Sequence, residues 1–318
     1  MTRVAVLDDW QGIAAATVDW SALRARAEVV IFTEAFADED TAAVTLADFD
    51  VVLAMRERTP FPPSLVDRLP RLKMFGLTGH RAGSIAMDAM KARGVVVCGT
   101  GGGESGAATA ELALALMLAA ARSVPQGDAA VRAGRFMAGV APGLELDGRT
   151  LGIVGVGRIG ARVAGYGRAL GMQTLGWSPN LTSERAAEAG VQAVSKTDLF
   201  ARSDAISLHL VLSPRTQGVV GAEDLGRMKA GAILVNTARA PLIDEAALIE
   251  AVTSGRIVAA LDVHHREPLP ADHPLLGAPN TVLTPHVGYG VRDVYATFYA
   301  ETLENVLAFL NGRPIRCL

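Results

Sequence analysis

Cysteine, surplus positive charge and long apolar runs are all scarce in this chain of 318 residues, and each shortage removes a class of protein. The only cysteines are Cys98 and Cys317. They lie far apart in sequence and show neither a metal spacing nor a disulfide framework, so they read as inert thiols in a reducing compartment. Acidic residues outnumber lysine and arginine by 33 to 30, for a formal net charge of -3. With no basic surplus to neutralise phosphates, nucleic acid is not an expected partner. The longest apolar stretch, Ala107 to Ala121, contains Glu111 and falls short of the roughly 20 residues that span a bilayer. The N-terminus places Asp8 and Asp9 directly after one short apolar run, the pattern of a buried strand and not of a signal peptide. No membrane association is expected, and the predicted location is cytoplasmic. Internal repeats, coiled-coil heptads and low-complexity tails are also missing.

What remains is a globular composition, 50% hydrophobic and 20% charged, with a length that predicts about two domains. Short β-rich runs alternate with helical patterns throughout, the mark of parallel α/β architecture. Strands are predicted at Val4 to Leu7, Val51 to Ala54, Leu72 to Leu77, Val95 to Cys98, Leu151 to Val154, Gln173 to Trp177, Ala205 to Leu210, Ile233 to Asn236, Ala259 to Val263 and Thr281 to Leu283. This is more than one sheet holds comfortably. The glycine-rich stretch Gly99 to Gly103 can bend freely and marks a break before a helix predicted from Glu104 to Ala121. If the last helix, roughly Asp293 to Leu310, returns to the first sheet, one domain is discontinuous. It then comprises 1–100 and 285–318, with 101–284 inserted as a dinucleotide-binding domain.

Gly155, Gly157 and Gly160 form a G-x-G-x-x-G fingerprint between the strand ending at Val154 and a helical pattern carrying Ile159, Val163 and Leu170. Gly155 permits the tight turn, Gly157 lets the backbone approach a pyrophosphate, and Gly160 lets the helix pack closely on the sheet. The pyrophosphate then meets the N–H groups of a helix N-terminus, where the macrodipole favours negative charge. At the end of the next strand, where an acid usually binds the ribose 2'-hydroxyl of NAD, the sequence reads Trp177-Ser178-Pro179-Asn180. A carboxylate there would repel a 2'-phosphate, whereas Ser178 and Asn180 could hydrogen-bond one and Arg158 or Arg185 could add charge. The expected cofactor is NAD(P), with NADP favoured over NAD.

Three later strands each run into an ionisable group: Asn236-Thr237-Ala238-Arg239, Asp262-Val263-His264-His265-Arg266-Glu267-Pro268, and Thr284-Pro285-His286-Val287-Gly288. In a doubly wound sheet the C-terminal strand ends line the ligand crevice, so these groups can converge. Reducing a 2-oxo acid needs a hydride donor, a cation for the carboxylate and an acid for the developing alkoxide. Arginine offers a permanently charged planar fork, and a histidine whose second nitrogen faces a carboxylate is a natural proton carrier. Arg239, Glu267 and His286 therefore form the predicted catalytic trio. His264 and His265 are adjacent and point in different directions, so no metal site is expected. His273 reads as a loop residue, and Trp10 reads as packing.

In this order the segments resemble the D-isomer-specific 2-hydroxyacid dehydrogenase family, which includes glyoxylate/hydroxypyruvate reductases and phosphoglycerate dehydrogenases. The resemblance covers essentially the whole chain. It is carried by Thr109 to Leu118, the fingerprint, His209 with Pro214 and Thr216, Asn236 to Arg239 with Asp244-Glu245, Asp262-Val263 with Glu267 to Pro270, and Thr284-Pro285-His286. It implies a Rossmann domain inserted in a flavodoxin-like substrate domain, closing on ligand, and a homodimer through the cofactor domains. It also implies that Arg239 binds the substrate carboxylate, with His286 as acid/base and Glu267 as its partner. Implied substrate contacts are Arg56 and the backbone of Thr78, Gly79 and His80. Implied cofactor contacts, besides the three glycines, are Thr109, Arg158, Ile159, Ser178, His209, Thr216, Thr237, Ala238, Asp262 and Gly288. Ser178, Val211 and Ser84 depart from the residues common in the family. Two other readings stay open: a dinucleotide-sensing binding protein of the corepressor kind, and a dehydrogenase of a small anion such as formate or phosphite.

Overall fold

The computed structural model describes every residue except Arg81, Glu104 and Ser105. Two compact units divide the chain, Met1–Glu104 with Gly290–Leu318, and Ser105–Tyr289. In the first, β1 (Thr2–Val6), β2 (Ala27–Ile31), β3 (Val51–Ala54), β4 (Met74–Leu77) and β5 (Val96–Gly99) form a parallel sheet in the order β2-β1-β3-β4-β5. This is the flavodoxin-like order. The three inner strands are buried on nearly every residue because helices cover both faces. The helix Arg292–Leu310 returns to this unit, burying Tyr295, Phe298, Tyr299 and Val306.

The second unit holds β6 (Thr150–Val154), β7 (Gln173–Trp177), β8 (Gln192–Ala193), β9 (Ala205–Leu208), β10 (Ile233–Asn236), β11 (Val258–Leu261) and β12 (Thr281–Leu283). Their order, β12-β11-β10-β9-β6-β7-β8, reverses direction at β6 and is the Rossmann arrangement with one added strand. Period-two alternation shares each central strand between two cores. Leu234, Ala259 and Leu261 enter one, and Ile233, Val235 and Ala260 the other. The helix Ala107–Ala121 buries Ala110, Ala113, Leu116, Met117 and Ala121, a helical stripe that seats it in the second of these cores. Its start was predicted at Glu104, which lies outside the described residues. Among the described residues no single helix is long and apolar enough to cross a membrane.

Several expectations need correction. The sequence pattern shows neither β2 nor β8, both edge strands: β2 is largely half-exposed and β8 has only two residues. Trp10 does not pack away, being 45% exposed. The boundary expected at 285 moves past Tyr289, which puts His286 in the same unit as Arg239 and Glu267. Cys98 and Cys317, distant in sequence, stand opposite each other across an antiparallel bridge.

Candidate active site

The fingerprint turn is built around two glycines that admit no side chain. Gly155 has φ +101°, and a Cβ there would lie 2.6 Å from the His209 carbonyl carbon. A Cβ on Gly160 would lie 2.2 Å from the Gly155 oxygen, so the helix Arg158–Ala169 can approach the strand only without one. Gly157 differs: a Cβ there would meet nothing within 4 Å. The space in front of it is open, and the helix that follows has no side-chain cap. Open space before uncapped backbone N–H groups fits the pyrophosphate of a dinucleotide. Arg158 is exposed beside it and Ile159 half-buried.

Around this turn the residues expected to touch cofactor divide by what already engages them. The Ser178 hydroxyl accepts from the Val156 N–H at 2.9 Å, bracing the fingerprint turn with its oxygen while its hydrogen stays available to donate. The Thr216 hydroxyl donates to the Val211 carbonyl at 2.7 Å and accepts from the Ser213 N–H at 2.8 Å, which makes it a loop staple. The Thr109 hydroxyl donates to the Gly288 carbonyl at 3.1 Å. The His209 ring sits 2.8 Å from the Ser207 hydroxyl, and burial holds its pKa down to about 3, so it presents a neutral imidazole. The Thr237 hydroxyl, in contrast, is buried with no hydrogen-bond partner among the described residues. An orphaned buried hydroxyl beside the end of a Rossmann strand fits a polar group of a bound cofactor.

The trio stands on three adjacent parallel strands, β10, β11 and β12, whose spacing of about 4.8 Å brings their C-terminal ends together. Asn236, 1% exposed, shapes the turn that carries Arg239. Its side-chain oxygen accepts from the Ala238 N–H and its amide donates to the Arg239 carbonyl, both at 3.0 Å. The half-buried Arg239 guanidinium donates to the Ala238 carbonyl at 2.7 Å.

Glu267 and His286 are in direct contact, with Oε2 of the first 2.7 Å from Nδ1 of the second. Oε1 of Glu267 accepts from the His264 N–H at 2.9 Å. Burial pushes the Glu267 carboxyl up, but the hydrogen bond and charge of His286, the His264 N–H and the His264 ring together outweigh it. Glu267 is left below its ordinary value, ionised and acceptor-only. His286 has φ +55°, a left-handed conformation that costs energy in a non-glycine residue and requires support from its surroundings.

Asp262 supplies that support. Fully buried, it accepts from the Thr284 hydroxyl at 2.6 Å, the Val287 N–H at 2.9 Å and the Gly288 N–H at 2.8 Å, so one carboxylate grips the loop on both sides of His286. The His264 ring adds a second hold, with Nε2 3.0 Å from the Thr284 carbonyl. Because a carbonyl only accepts, Nε2 carries the proton. The family resemblance implies a cofactor contact for Asp262, while His264 is weighed only as a metal ligand and Asn236 only as part of a motif. A polar residue inside or directly ending an apolar strand was the available signal. His265 and His273 lie instead against Glu245, at 3.9 and 3.4 Å.

In the first unit, two of the three amides expected to meet substrate are engaged internally. The Thr78 N–H donates to the Ala54 carbonyl at 3.2 Å and the Gly79 N–H to the Thr100 hydroxyl at 2.9 Å. That expectation contracts to the exposed His80. Arg56, at φ +55°, donates its N–H to the Thr78 hydroxyl at 2.8 Å and its guanidinium to the Thr78 carbonyl at 3.2 Å. Gly79 has φ +92°, a left-handed conformation that favours glycine, and a Cβ there would displace the Arg56 guanidinium, 2.0 Å away.

Comparison with known proteins adds an independent line. Residues 114–288 match the family model described as D-isomer specific 2-hydroxyacid dehydrogenase, NAD binding domain. A D-3-phosphoglycerate dehydrogenase of Archaeoglobus fulgidus is 38% identical over 265 residues, covering 83% of this chain and 50% of that protein. A hydroxypyruvate reductase of Blautia hydrogenotrophica is 30% identical over 315 residues, with 94% of each chain covered. Among solved structures, a phosphoglycerate oxidoreductase from Vibrio cholerae is similar with a TM-score of 0.91 at 36% identity, covering 98% of this chain and 100% of that one. The chain spans about half the length of the curated phosphoglycerate dehydrogenases it matches.

Proposed function

The chain belongs to the D-isomer specific 2-hydroxyacid dehydrogenase family, and from that membership we propose that it interconverts a small 2-oxo acid and its D-2-hydroxy acid with a nicotinamide cofactor. The observation that carries this reading is the Glu267–His286 contact at 2.7 Å, on a loop clamped by Asp262. The nicotinamide ring, when bound, supplies or accepts the hydride at C2 of the substrate. Gly155, Gly157 and the first turn of the helix Arg158–Ala169 would hold the pyrophosphate, and the buried Thr237 hydroxyl would meet a polar group of the cofactor.

In the reductive direction protonated His286 gives its Nε2 proton to the oxygen developing at C2. Glu267, ionised on the Nδ1 side, fixes the orientation of the ring. Arg239 pairs with the substrate carboxylate and leaves the carbonyl oxygen to His286. In oxidation the same Nε2, now unprotonated, accepts the hydroxyl proton. The His80 backbone N–H is assigned to the substrate carboxylate, and Arg56 to a place near the substrate.

NADP is the favoured cofactor in this reading. No acid follows β7, the Ser178 hydroxyl keeps a hydrogen to donate, and Asn180 and Arg185 are exposed on the same stretch. Val124, Val131, Phe136 and Met137 are 54 to 74% exposed on one stretch of the second unit, and these apolar side chains are assigned to the face of a homodimer. A cytoplasmic location completes the assignment.

The test is a set of initial rates with glyoxylate, hydroxypyruvate, 3-phosphohydroxypyruvate and pyruvate, each with NADPH and NADH. Turnover of at least one acid with a higher kcat/KM for NADPH is expected. Silence with all four overturns the activity, and a strong NADH preference overturns the cofactor assignment alone.

A further inference from the structure

Cys98 lies on β5, fully buried, and Cys317 lies exposed near the C-terminal end of the chain. The two are opposed in an antiparallel bridge. The Leu318 N–H donates to the Val97 carbonyl and the Gly99 N–H to the Arg316 carbonyl, both at 2.9 Å. Hydrogen bonds that flank a pair in this way define a non-hydrogen-bonded site, where opposed Cα atoms stand about 4.5 Å apart and side chains are closest. That separation lies inside the range of about 4.4 to 6.8 Å that a disulfide spans.

The register is fixed from both sides. The Asn305 amide donates to the Gly99 carbonyl at 2.8 Å. The Arg316 guanidinium donates to the Asn305 side-chain oxygen at 3.1 Å and to the Glu304 carboxylate at 2.6 Å. Leu318 packs against the first unit's core. The two thiols therefore face each other across an anchored pairing, not at the tip of a loose tail.

We propose that Cys98 and Cys317 form a reversible intramolecular disulfide by exchange with a small-molecule disulfide. Neither cysteine takes part in the chemistry assigned to Arg239, Glu267 and His286, so the inference is independent of that activity. The two thiols differ in reactivity. Burial first, then the neighbouring Cys317, pushes the Cys98 thiol up to about 12, with Arg316 opposing. Cys317 is exposed and is the attacking group.

The Cys317 thiolate attacks one sulfur of the external disulfide, forming a mixed disulfide and releasing one thiolate. Cys98 then loses its proton and attacks the Cys317 sulfur, and the second external thiol leaves. The protein loses two hydrogens and two electrons, and one external disulfide becomes two thiols. Closing a loop as long as 98 to 317 constrains the unfolded chain strongly, so the oxidised protein should melt several degrees higher.

The test treats the full chain with oxidised glutathione and follows intact mass, denatured thiol count and tryptic peptides. Expected are loss of the mass of two hydrogen atoms, loss of both titratable thiols, and a peptide linking Cys98 to Cys317 that dithiothreitol separates. Cys98→Ser should stop at a stable Cys317–glutathione adduct, and Cys317→Ser should remain unmodified. A persistent adduct in the unsubstituted protein, a disulfide between two chains, or unreacted thiols would each overturn the proposal.

Discussion

At the scale of single residues, His286 is held in a conformation its own backbone disfavours, and Glu267 orients its ring. Glu267 engages Nδ1, and Nε2 is the atom assigned to the substrate. His286→Ala should lower kcat about 10^3-fold, the usual worth of a positioned acid/base group, while cofactor affinity measured by fluorescence titration stays unchanged. Glu267 is ionised over the working range, because its carboxyl lies below the ordinary value. A depressed carboxyl contributes stability that is present above the unfolded value and is lost as pH falls through the folded one. Reductive kcat should therefore show no Glu267 titration above roughly pH 5. A limb there that disappears in Glu267→Gln would contradict this role.

Asp8 shows the opposite sign. It is 5% exposed at φ +60° beside the Thr59 hydroxyl, and burial raises its pKa to about 6 against the hydrogen bonds of Thr59 and the charge of Arg58. A raised carboxyl contributes stability that is fully present below the unfolded value and is lost as pH rises through about 6. Asp8→Asn removes that penalty and keeps a residue type tolerant of φ > 0. It should raise Tm at pH 8 by an amount corresponding to about 3 kcal/mol or less and leave it unchanged near pH 3.

At the scale of elements, the loops after β10, β11 and β12 are organised by buried polar side chains. Asn236 shapes the Arg239 turn, Asp262 grips both flanks of His286, and His264 holds the Thr284 carbonyl by its ring and Glu267 by its backbone. His264→Phe keeps volume and loses the ring donor, whereas His264→Gln places an amide N–H near the same position. Phe should cost about tenfold in kcat, as the loss of one neutral hydrogen bond allows, with KM for cofactor unmoved, and Gln should recover most of it. Equal kcat values in the two variants would rule the ring contact out.

The fingerprint offers a second comparison. A Cβ on Gly157 meets open space and one on Gly160 meets backbone at 2.2 Å. Gly157→Ala should keep its Tm and lose cofactor affinity, whereas Gly160→Ala should lose roughly 1–3 kcal/mol of stability as well. Thermal melting with and without cofactor separates them.

The apolar run of each central strand and the glycine spacing made these elements legible in the sequence, and so did the ionisable residue after each of the three strands. The edge strands β2 and β8 were not legible, because an edge buries too little to impose a pattern. The internal engagement of Thr78, Gly79, Thr109 and Thr216 was also hidden. A hydroxyl or amide in a motif looks the same in sequence whether its partner is a ligand or a neighbouring carbonyl. The pairing of Cys98 with Cys317 depends on a C-terminal segment returning to β5, which no local spacing reveals.

At the scale of the molecule, the two sheet orders separate the work. One unit carries a β2-β1-β3-β4-β5 sheet, and the other, from Ser105 to Tyr289, contains both the fingerprint and the entire trio. The exposed Phe136 and Met137, 74% and 71% accessible, belong to that second unit. For the homodimer proposed through this face, light scattering should give a dimer mass for the unsubstituted chain and a monomer mass for Phe136→Asp combined with Met137→Asp; a monomeric unsubstituted chain or an unchanged mass in the variant would contradict it.

The central claim is that His286, charged against Glu267, moves the proton in a D-2-hydroxy acid oxidoreduction. Its most direct test is kcat for 2-oxo acid reduction by the unsubstituted chain beside that of His286→Ala, with the chirality of the product determined. Formation of the D-2-hydroxy acid and a loss of about 10^3-fold in the variant is the expected result. Near-normal turnover by His286→Ala, or an L-product, would contradict it.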